Sequence, residues 1–328
     1  MTTRLGRSAG LTGYIDLARG LGVDPYRMAA SVGLPSACLT DPDLKVSSES
    51  IGRLLEVTAR RAGAQDIGLR LAEGRRLSNL GAVALVVREQ PTLRAAIETL
   101  IHYAWLQNEA LSLRLEPAGP VTLLRLEVAT ERGGGRQGTE LTIGVLVRTL
   151  RDLLGKTWRP EVVAFRHTAP ENLATHRRVL GLTPTFGEDF TGLVLPTADL
   201  DKPIPAADPD MARQAQRYVD QIAGARHADP AAVVRDLLAA LLPTGGCSIE
   251  RVAAHMGLTR RTLHRRLARQ GVTFTELLSD VRRRAAAAHL ATPDRSLTEI
   301  AGRLGYSSLS AFSRWRRKSA KPGRAGSL

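Results

Sequence analysis

The chain has 328 residues, of which 43% are hydrophobic, and this is enough for two domains that each bury a core. Its two cysteines, Cys38 and Cys247, lie far apart in the sequence and show no metal-ligand spacing, which argues against a disulfide framework and against a zinc site. No signal-like segment and no run of about eighteen apolar residues is visible. We therefore expect a cytoplasmic protein with no membrane partner.

The net charge of +14 is concentrated near the C-terminus. Residues 244–328 contain 17 Lys and Arg against 5 Asp and Glu, a net of +12, whereas residues 1–243 contain 29 against 27, a net of +2. A solvated charged surface would not explain so uneven a distribution. A basic face attracts a polyanion and releases its condensed counterions, so the asymmetry indicates nucleic acid as a partner.

Periodicity in the first two thirds of the chain predicts an α+β domain of helices with a small, mostly antiparallel sheet. Alternating apolar residues predict a hairpin in 109–128, and β-prone runs predict strands in 161–167 and 191–195. Prolines after residue 195 mark the edge of this domain near residue 205. Helices are predicted as a pair in 11–32, from Ser47 or Ser48 to about Ala62, and in 67–71, 80–87, 93–106, 139–154, 170–180, 210–223 and 230–242.

One pattern occurs twice in the basic segment. In the first copy an apolar stripe from Ile249 to Met256 lies on one helical face, Gly257 permits a sharp turn, and Thr259 caps a second helix. The second copy follows 48 residues later, with a stripe that starts at Leu297. A single long helix, from Phe274 to about Ala291, joins them. The segment is therefore predicted to be all-α with two helix-turn-helix units.

The residues that carry this pattern resemble the AraC/XylS family of bacterial transcription regulators. The matching stretches are VAAHMGLTRRTLHRRL at 252–267 and IAGRLGYSSLSAFSR at 300–314. The resemblance implies a regulator of double-stranded promoter DNA, with RNA polymerase as a further partner. Each second helix would enter one of two successive major grooves, about 34 Å apart.

Carried over residue by residue, the family pattern places base-reading side chains in both units. Arginine can bond to guanine through two atoms at once, whereas serine reads several base edges less strictly. Arg260, Arg266 and the cluster at 316–318 are expected on phosphates, which position the protein without reading sequence. The base-reading candidates are Arg261, His264 and Arg265 in the first unit and Leu309, Ser310, Ser313 and Arg314 in the second.

The N-terminal region resembles the arabinose-binding-type domain found in part of this family. The resemblance implies an effector-sensing or dimerisation domain in 1–205, a helical linker in 206–243 and the DNA-binding domain in 244–328. The implied partners are a small-molecule effector that the sequence does not identify and a second copy of the chain. The motifs are GLRL at 68–71, SNLG at 78–81, QPTLRAA at 90–96, WRP at 158–160 and FRHTAP at 165–170.

The second helix-turn-helix departs from the family pattern after Arg314. The family places an aromatic residue four positions after Phe312, where this chain has Arg316, and Trp315 lies one position early. We expect Trp315 to substitute as a core residue. Because the first unit is complete and more basic, we expect it to supply most of the base specificity.

Two alternative functions remain open at the level of sequence. An architectural DNA-binding protein would use the N-terminal domain only to pair protomers. A DNA-repair enzyme that transfers alkyl groups would need an activated cysteine, which neither Cys38 nor Cys247 resembles. The cluster at 102–105 and Arg166, between Phe165 and His167, could contact a ligand, but packing explains both more simply. We expect no catalytic residues, no cofactor and no metal.

Overall fold

The computed structural model describes residues 4–129, 135–205, 207–228, 230–242, 247–256 and 258–290, together with the single residues 301, 304, 306, 312, 313 and 315. The chain divides into two compact units, and the division falls between Ala225 and Arg226. The assignment of roles to 1–205, 206–243 and 244–328 stays a prediction. In the described part of the chain, no helix combines the length and the apolar character needed to span a bilayer.

The N-terminal unit is mostly helical, as the apolar periodicity predicts. Ser47 caps the third helix by accepting a hydrogen bond from the backbone of Ser50, and Gly63 ends it in the left-handed conformation. The helices are α1 (Tyr14–Gly20), α2 (Pro25–Ser31), α3 (Ser48–Ala62), α4 (Ile67–Glu73), α5 (Val83–Arg88), α6 (Leu93–Gln107), α7 (Gly135–Leu154), α8 (Ala174–Leu180), α9 (Thr197–Leu200) and α10 (Pro209–Ala228), of which the residues up to Ala225 belong to this unit.

Helices α5, α7 and α8 begin three or four residues away from the predicted start, and α5 begins at Val83 rather than residue 80. Helix α7 begins at Gly135 rather than residue 139, because the Glu56 carboxylate accepts a hydrogen bond from Gln137 N at 2.7 Å and so satisfies the first turn. Helix α8 begins at Ala174 rather than near Pro170, where Asn172 Oδ1 accepts a hydrogen bond from Ala174 N at 2.8 Å. Both starts depend on side-chain bonds that periodicity does not reveal.

A five-stranded sheet confirms the predicted class. Strands β3 (Leu111–Ala118) and β4 (Val121–Val128) form the predicted hairpin, and β7 (Gly192–Pro196) lies between β4 and β5 (Val162–Phe165). All pairs are antiparallel except that of β5 with β6 (Thr185–Phe186). The third strand is shorter than predicted because its pairing with β7 runs only from Val162 to Ala164. Strand β6 and the ribbon of β1 (Leu5–Arg7) with β2 (Lys45–Ser47) were not predicted, since two or three residues show no period.

Glycines allow α4 and α7 to pack at very short range. A Cβ at Gly68 would overlap the carbonyl oxygen of Gln137, and a Cβ at Gly144 would lie 2.5 Å from the Cβ of Ala72. The side chain of Gln137 also accepts a hydrogen bond from Gly68 N at 2.9 Å. Residues larger than glycine would therefore force the two helices apart.

The C-terminal unit buries its own apolar cluster. Val252 and Leu263 are fully buried in it, and the predicted inner face of the long helix, including Leu277 and Val281, contributes as expected. Val234, Leu237, Leu238 and Leu241 extend the cluster toward the N-terminus. The helices are α11 (Pro230–Leu241), α12 (Ile249–His255), α13 (Arg260–Ala268) and α14 (Phe274–Leu290).

Candidate nucleic-acid interface and ligand cavity

Helices α12 and α13 form the first of the predicted helix-turn-helix units. The side chain of Thr259 caps α13 by accepting a hydrogen bond from Thr262 N at 3.2 Å, as predicted. Leu263 and Leu267 are fully buried and fix one face of α13 to the cluster. The opposite face is therefore left to solvent.

That exposed face carries the predicted base readers of the first unit. Arg261, His264 and Arg265 are all exposed, and their spacing of three and four residues places them on one side of α13. Arg260 is also exposed, and its guanidinium lies 3.1 Å from the Glu250 carboxylate on α12. An exposed ion pair of this kind contributes little stability, so Arg260 can exchange Glu250 for phosphate at small cost.

Of the predicted reading residues of the second unit, the structure describes only Ser313. Ser313 is half-buried, and Leu309, Ser310 and Arg314 lie outside the described residues. The DNA-reading roles of all these side chains stay predictions.

An aromatic cluster packs the described part of the second unit. The rings of Phe312 and Trp315 stack with centroids 5.9 Å apart, and Tyr306 lies 5.8 Å from Phe312 and 5.7 Å from Trp315. Trp315 is half-buried and packs against the apolar cluster of the C-terminal unit, and its role as a substitute for the family's aromatic residue stays a prediction. Sequence reasoning missed Arg282 of α14, whose guanidinium lies 4.4 Å from the Tyr306 ring centroid and donates a hydrogen bond to Leu304 O at 3.2 Å.

A cavity of about 170 Å³ lies inside the N-terminal unit. Helices α3, α6 and α7 line it together with the hairpin β3–β4, and its lining is mostly apolar. The polar lining comes from side chains of several segments. These polar residues are Arg7, Ser48, Arg75, Asn79, Gln107, Asn108 and Thr142. Nothing in the sequence pattern placed these residues together.

Two arginine side chains line the polar end of this cavity. Arg7 donates hydrogen bonds to Gln107 Oε1 at 2.7 Å and to the Asp43 carboxylate at 2.8 Å. Arg75 is only 3% exposed and donates hydrogen bonds to the carbonyl oxygens of Ala9 at 2.8 Å and Gly10 at 2.6 Å. Burial lowers the pKa of Arg75 to about 10. At neutral pH it is therefore a buried cation.

The clusters that the sequence offered as ligand contacts pack within the unit only in part, and Arg166 lines an open pocket together with His167. Tyr103 is buried and donates a hydrogen bond to the Asp220 carboxylate at 2.6 Å, whereas His102 is exposed. Phe165 is buried against His167 at 4.8 Å between ring centroids. Arg166 is exposed, as the strand alternation predicts.

A buried carboxylate beside two histidines was also missed. Glu140 of α7 is fully buried, and its Oε1 lies 3.0 Å from His176 Nε2, 3.1 Å from Arg136 Nε and 3.6 Å from His167 Nε2. Desolvation lowers the pKa of His167. Arg136 and Glu140 lie one turn apart on α7, whereas the two histidines come from elsewhere in the chain, so periodicity gives no signal of the histidine contacts.

Neither cysteine carries an activated thiol. Burial raises the pKa of Cys38 to about 12 and that of Cys247 to about 11. A reactive cysteine needs the opposite shift, because the thiolate is the nucleophile. Within the described ranges, no group of three or more His, Cys, Asp or Glu residues could hold a metal ion.

The architecture of a helical domain with a small sheet, followed by a helix-turn-helix unit with a basic outer face, is that of a DNA-binding transcription regulator. Residues 22–204 match the model of the arabinose-binding domain of AraC transcription regulators, N-terminal, and residues 252–321 match a helix-turn-helix domain model. The chain belongs to the AraC/XylS family of transcription regulators and is not an enzyme.

Relatives match along nearly the whole chain. The HTH-type transcriptional regulator VirS of Mycobacterium tuberculosis (strain ATCC 25618 / H37Rv) is 34% identical over 94% of this chain and 92% of its own length. The Ornithine utilization regulator of Pseudomonas aeruginosa is 24% identical over 93% of this chain and 90% of its own. Among solved structures, the transcriptional regulator CdpR from Pseudomonas aeruginosa aligns with 93% of this chain and 95% of its own chain. The TM-score is 0.43 and the sequence identity is 20%.

Proposed function

We propose that this regulator binds DNA through two successive major grooves and reads bases chiefly with α13. The observation that carries the proposal is the exposed face of Arg261, His264 and Arg265, opposite a face that Leu263 and Leu267 anchor in the core. A recognition helix needs this combination, because a fixed back positions the side chains that reach into the groove. The proposed base-reading residues also include four from the second unit, which are Leu309, Ser310, Ser313 and Arg314.

The second part of the proposal is that a small molecule in the cavity of the N-terminal unit modulates DNA binding. The cavity is apolar with a few convergent polar groups, which is the usual character of a ligand site. One relative is named for ornithine utilization, which links that regulator to a small metabolite. An inert pairing domain would have no need for such a cavity, which favours a sensor over a purely architectural protein.

The proposed assignment of the chain follows from these two parts. In this assignment, residues 1–205 sense the effector or pair two protomers. Residues 206–243 link that domain to residues 244–328, which bind DNA. In the cytoplasm, the DNA-bound protein would contact RNA polymerase at the promoter.

Selection of binding sequences from a random DNA library, followed by footprinting of the full-length protein on the selected site, tests the proposal. We expect protection in two adjacent major grooves about one helical turn apart. Arg94→Ala is a suitable control, because Arg94 pairs with Asp201 in the N-terminal unit and should leave the footprint unchanged. Protection that does not depend on DNA sequence would favour the architectural alternative.

A further inference from the structure

The N-terminal cavity has walls that remain partly accessible rather than packed. Ile51 of α3, Val145 of α7 and Leu111 of β3 line it, and all three are only half-buried. Gly10 adds room, because a Cβ built there would have no heavy atom within 4 Å. Protein cores leave few voids larger than a water molecule, so a space of this size is unusual in a packed unit.

The charge of the lining is one-sided. Two arginines line the cavity and no acidic residue does. Arg7 is neutralised by Asp43, which lies 2.8 Å away. Arg75 lies within salt-bridge distance of no acidic side chain in the part of the chain that the structure describes, and the carbonyls of Ala9 and Gly10 accept only two of its five N–H donors.

A buried cation without a counter-charge is costly unless an anion joins it. Among anions, a carboxylate matches the planar fork of the guanidinium, which can donate two parallel hydrogen bonds to it. The polar neighbours Asn79 and Gln107 lie at the same end, since both accept hydrogen bonds from Arg7. The remaining apolar walls suit a hydrocarbon body.

The size of the cavity limits that body. An apolar cavity of about 150 Å³ accepts a benzene ring. The cavity of about 170 Å³ therefore fits a molecule with a single short aliphatic chain or one ring.

We propose that the effector is a small carboxylic acid whose carboxylate binds Arg75 and whose apolar body packs among Ile51, Leu111 and Val145. This assignment rests on the proposed function, since it names the chemistry of the effector that the N-terminal unit senses. Binding would supply the counter-charge that Arg75 lacks. It would also join α3 and α7 through their shared contact with the ligand.

Calorimetric titration and thermal shift of the full-length protein test the assignment with hexanoate and octanoate as probes. The comparison ligands are 1-hexanol, 1-octanol and hexylamine, which keep the chain and change the head group. We expect the carboxylates to bind about 10- to 100-fold more tightly than the matched alcohols, because hydrogen bonds to charged groups contribute on that scale. The amine should bind most weakly.

Three variants separate the charge from the cavity. Arg75→Gln should remove the preference for the acid over the alcohol. Val145→Phe should weaken the binding of both the acid and the alcohol, because the larger side chain fills the cavity. Arg94→Gln should change neither the preference nor the affinities. Val145→Phe retains Arg75, so the test remains decisive if Arg75→Gln fails to fold. Equal affinity for acid and alcohol in the unaltered protein would overturn the assignment, and so would the absence of binding by every probe.

A DNA-binding measurement without any probe distinguishes the two proposals. Carboxylate binding with no sequence-selective DNA binding would sink the proposed regulator function and leave the ligand assignment standing. Selective DNA binding with no carboxylate binding would overturn the ligand assignment and leave the proposed regulator function standing.

Discussion

Arginines that bond to backbone carbonyls in the N-terminal unit and arginines on the outer face of α13 have opposite roles. In the N-terminal unit, Arg75 and Arg151 point inward and donate hydrogen bonds to backbone carbonyls. In the C-terminal unit, Arg261 and Arg265 stand on the outside of α13, where no packing restrains them. Arginine therefore stabilises the fold at the first two positions and presents charge at the other two, and Arg282 of α14, which donates a hydrogen bond to Leu304 O, belongs with the first pair. A count of charges along the sequence indicates only the exposed basic face and not the arginines that bond to backbone carbonyls.

This difference supports the kind of partner proposed for each unit. An exposed basic face suits a polyanion, whose many charges also lie at a surface. A single buried cation beside an apolar cavity suits one small anion. The comparison predicts that core substitutions affect stability, whereas substitutions on the outer face of α13 affect only DNA binding.

Removal of a core side chain under α13 should have the largest effect. Leu263→Ala leaves a cavity in the cluster where Leu263 is fully buried, and we expect unfolding to become easier by about 2–5 kcal/mol. Urea denaturation measures this loss. Leu85→Ala is the control, since Leu85 is 45% exposed and should stay within about 0.5 kcal/mol of the unaltered protein. Equal effects would mean that α13 is not anchored as described.

A glycine pair on α4 and α7 tests the packing of the N-terminal unit. Gly68→Ala would place a methyl group on the Gln137 carbonyl, and we expect a loss of about 1–3 kcal/mol. Gly138→Ala on α7 is the matched control, because its new Cβ would have no heavy atom nearer than 3.9 Å. It should be neutral, or stabilising by up to about 1 kcal/mol. Similar losses for both would contradict the close approach of α4 and α7.

Neighbouring arginines on α13 should separate reading from anchoring. Arg265→Ala should reduce discrimination between bases at one position by about 1–3 kcal/mol, without changing stability. Arg266→Ala, which removes a proposed phosphate contact, should weaken binding to all sequences alike and lower the salt dependence. Binding titrations on a selected site and its single-base variants, at two salt concentrations, measure both. Identical behaviour of the two variants would place Arg265 on the DNA backbone.

The smallest predicted effect concerns pH. Desolvation lowers the pKa of His167 below its ordinary value of 6.5, so the unfolded chain binds a proton more readily than the folded one in the interval between those two values. Stability should therefore fall as pH decreases from 6.5 through the folded pKa and then level off. Thermal denaturation across this range measures the slope. His167→Gln should reduce it, whereas His102→Gln, at an exposed position, should not.

Periodic features of the fold were predictable from the sequence. The hairpin of β3 and β4 and most helices follow from apolar spacing, and the outward face of α13 follows from its stripe of leucines. Features that join distant residues were not predictable. The contact of Glu140 with His176 and the approach of Arg75 to Ala9 each depend on packing between elements, for which one sequence carries no periodic signal.

The central claim is that this regulator reads DNA sequence through α13. Its most direct test is the ratio of affinities of the full-length protein for a selected site and for a shuffled site at one fixed salt concentration. We predict a ratio of about 1,000 or more, as specific DNA-binding proteins show. Arg261→Ala and Arg265→Ala should each reduce that ratio, whereas Arg94→Ala should leave it unchanged. Equal affinity for the selected and shuffled sites, or a ratio insensitive to both α13 substitutions, would contradict the claim.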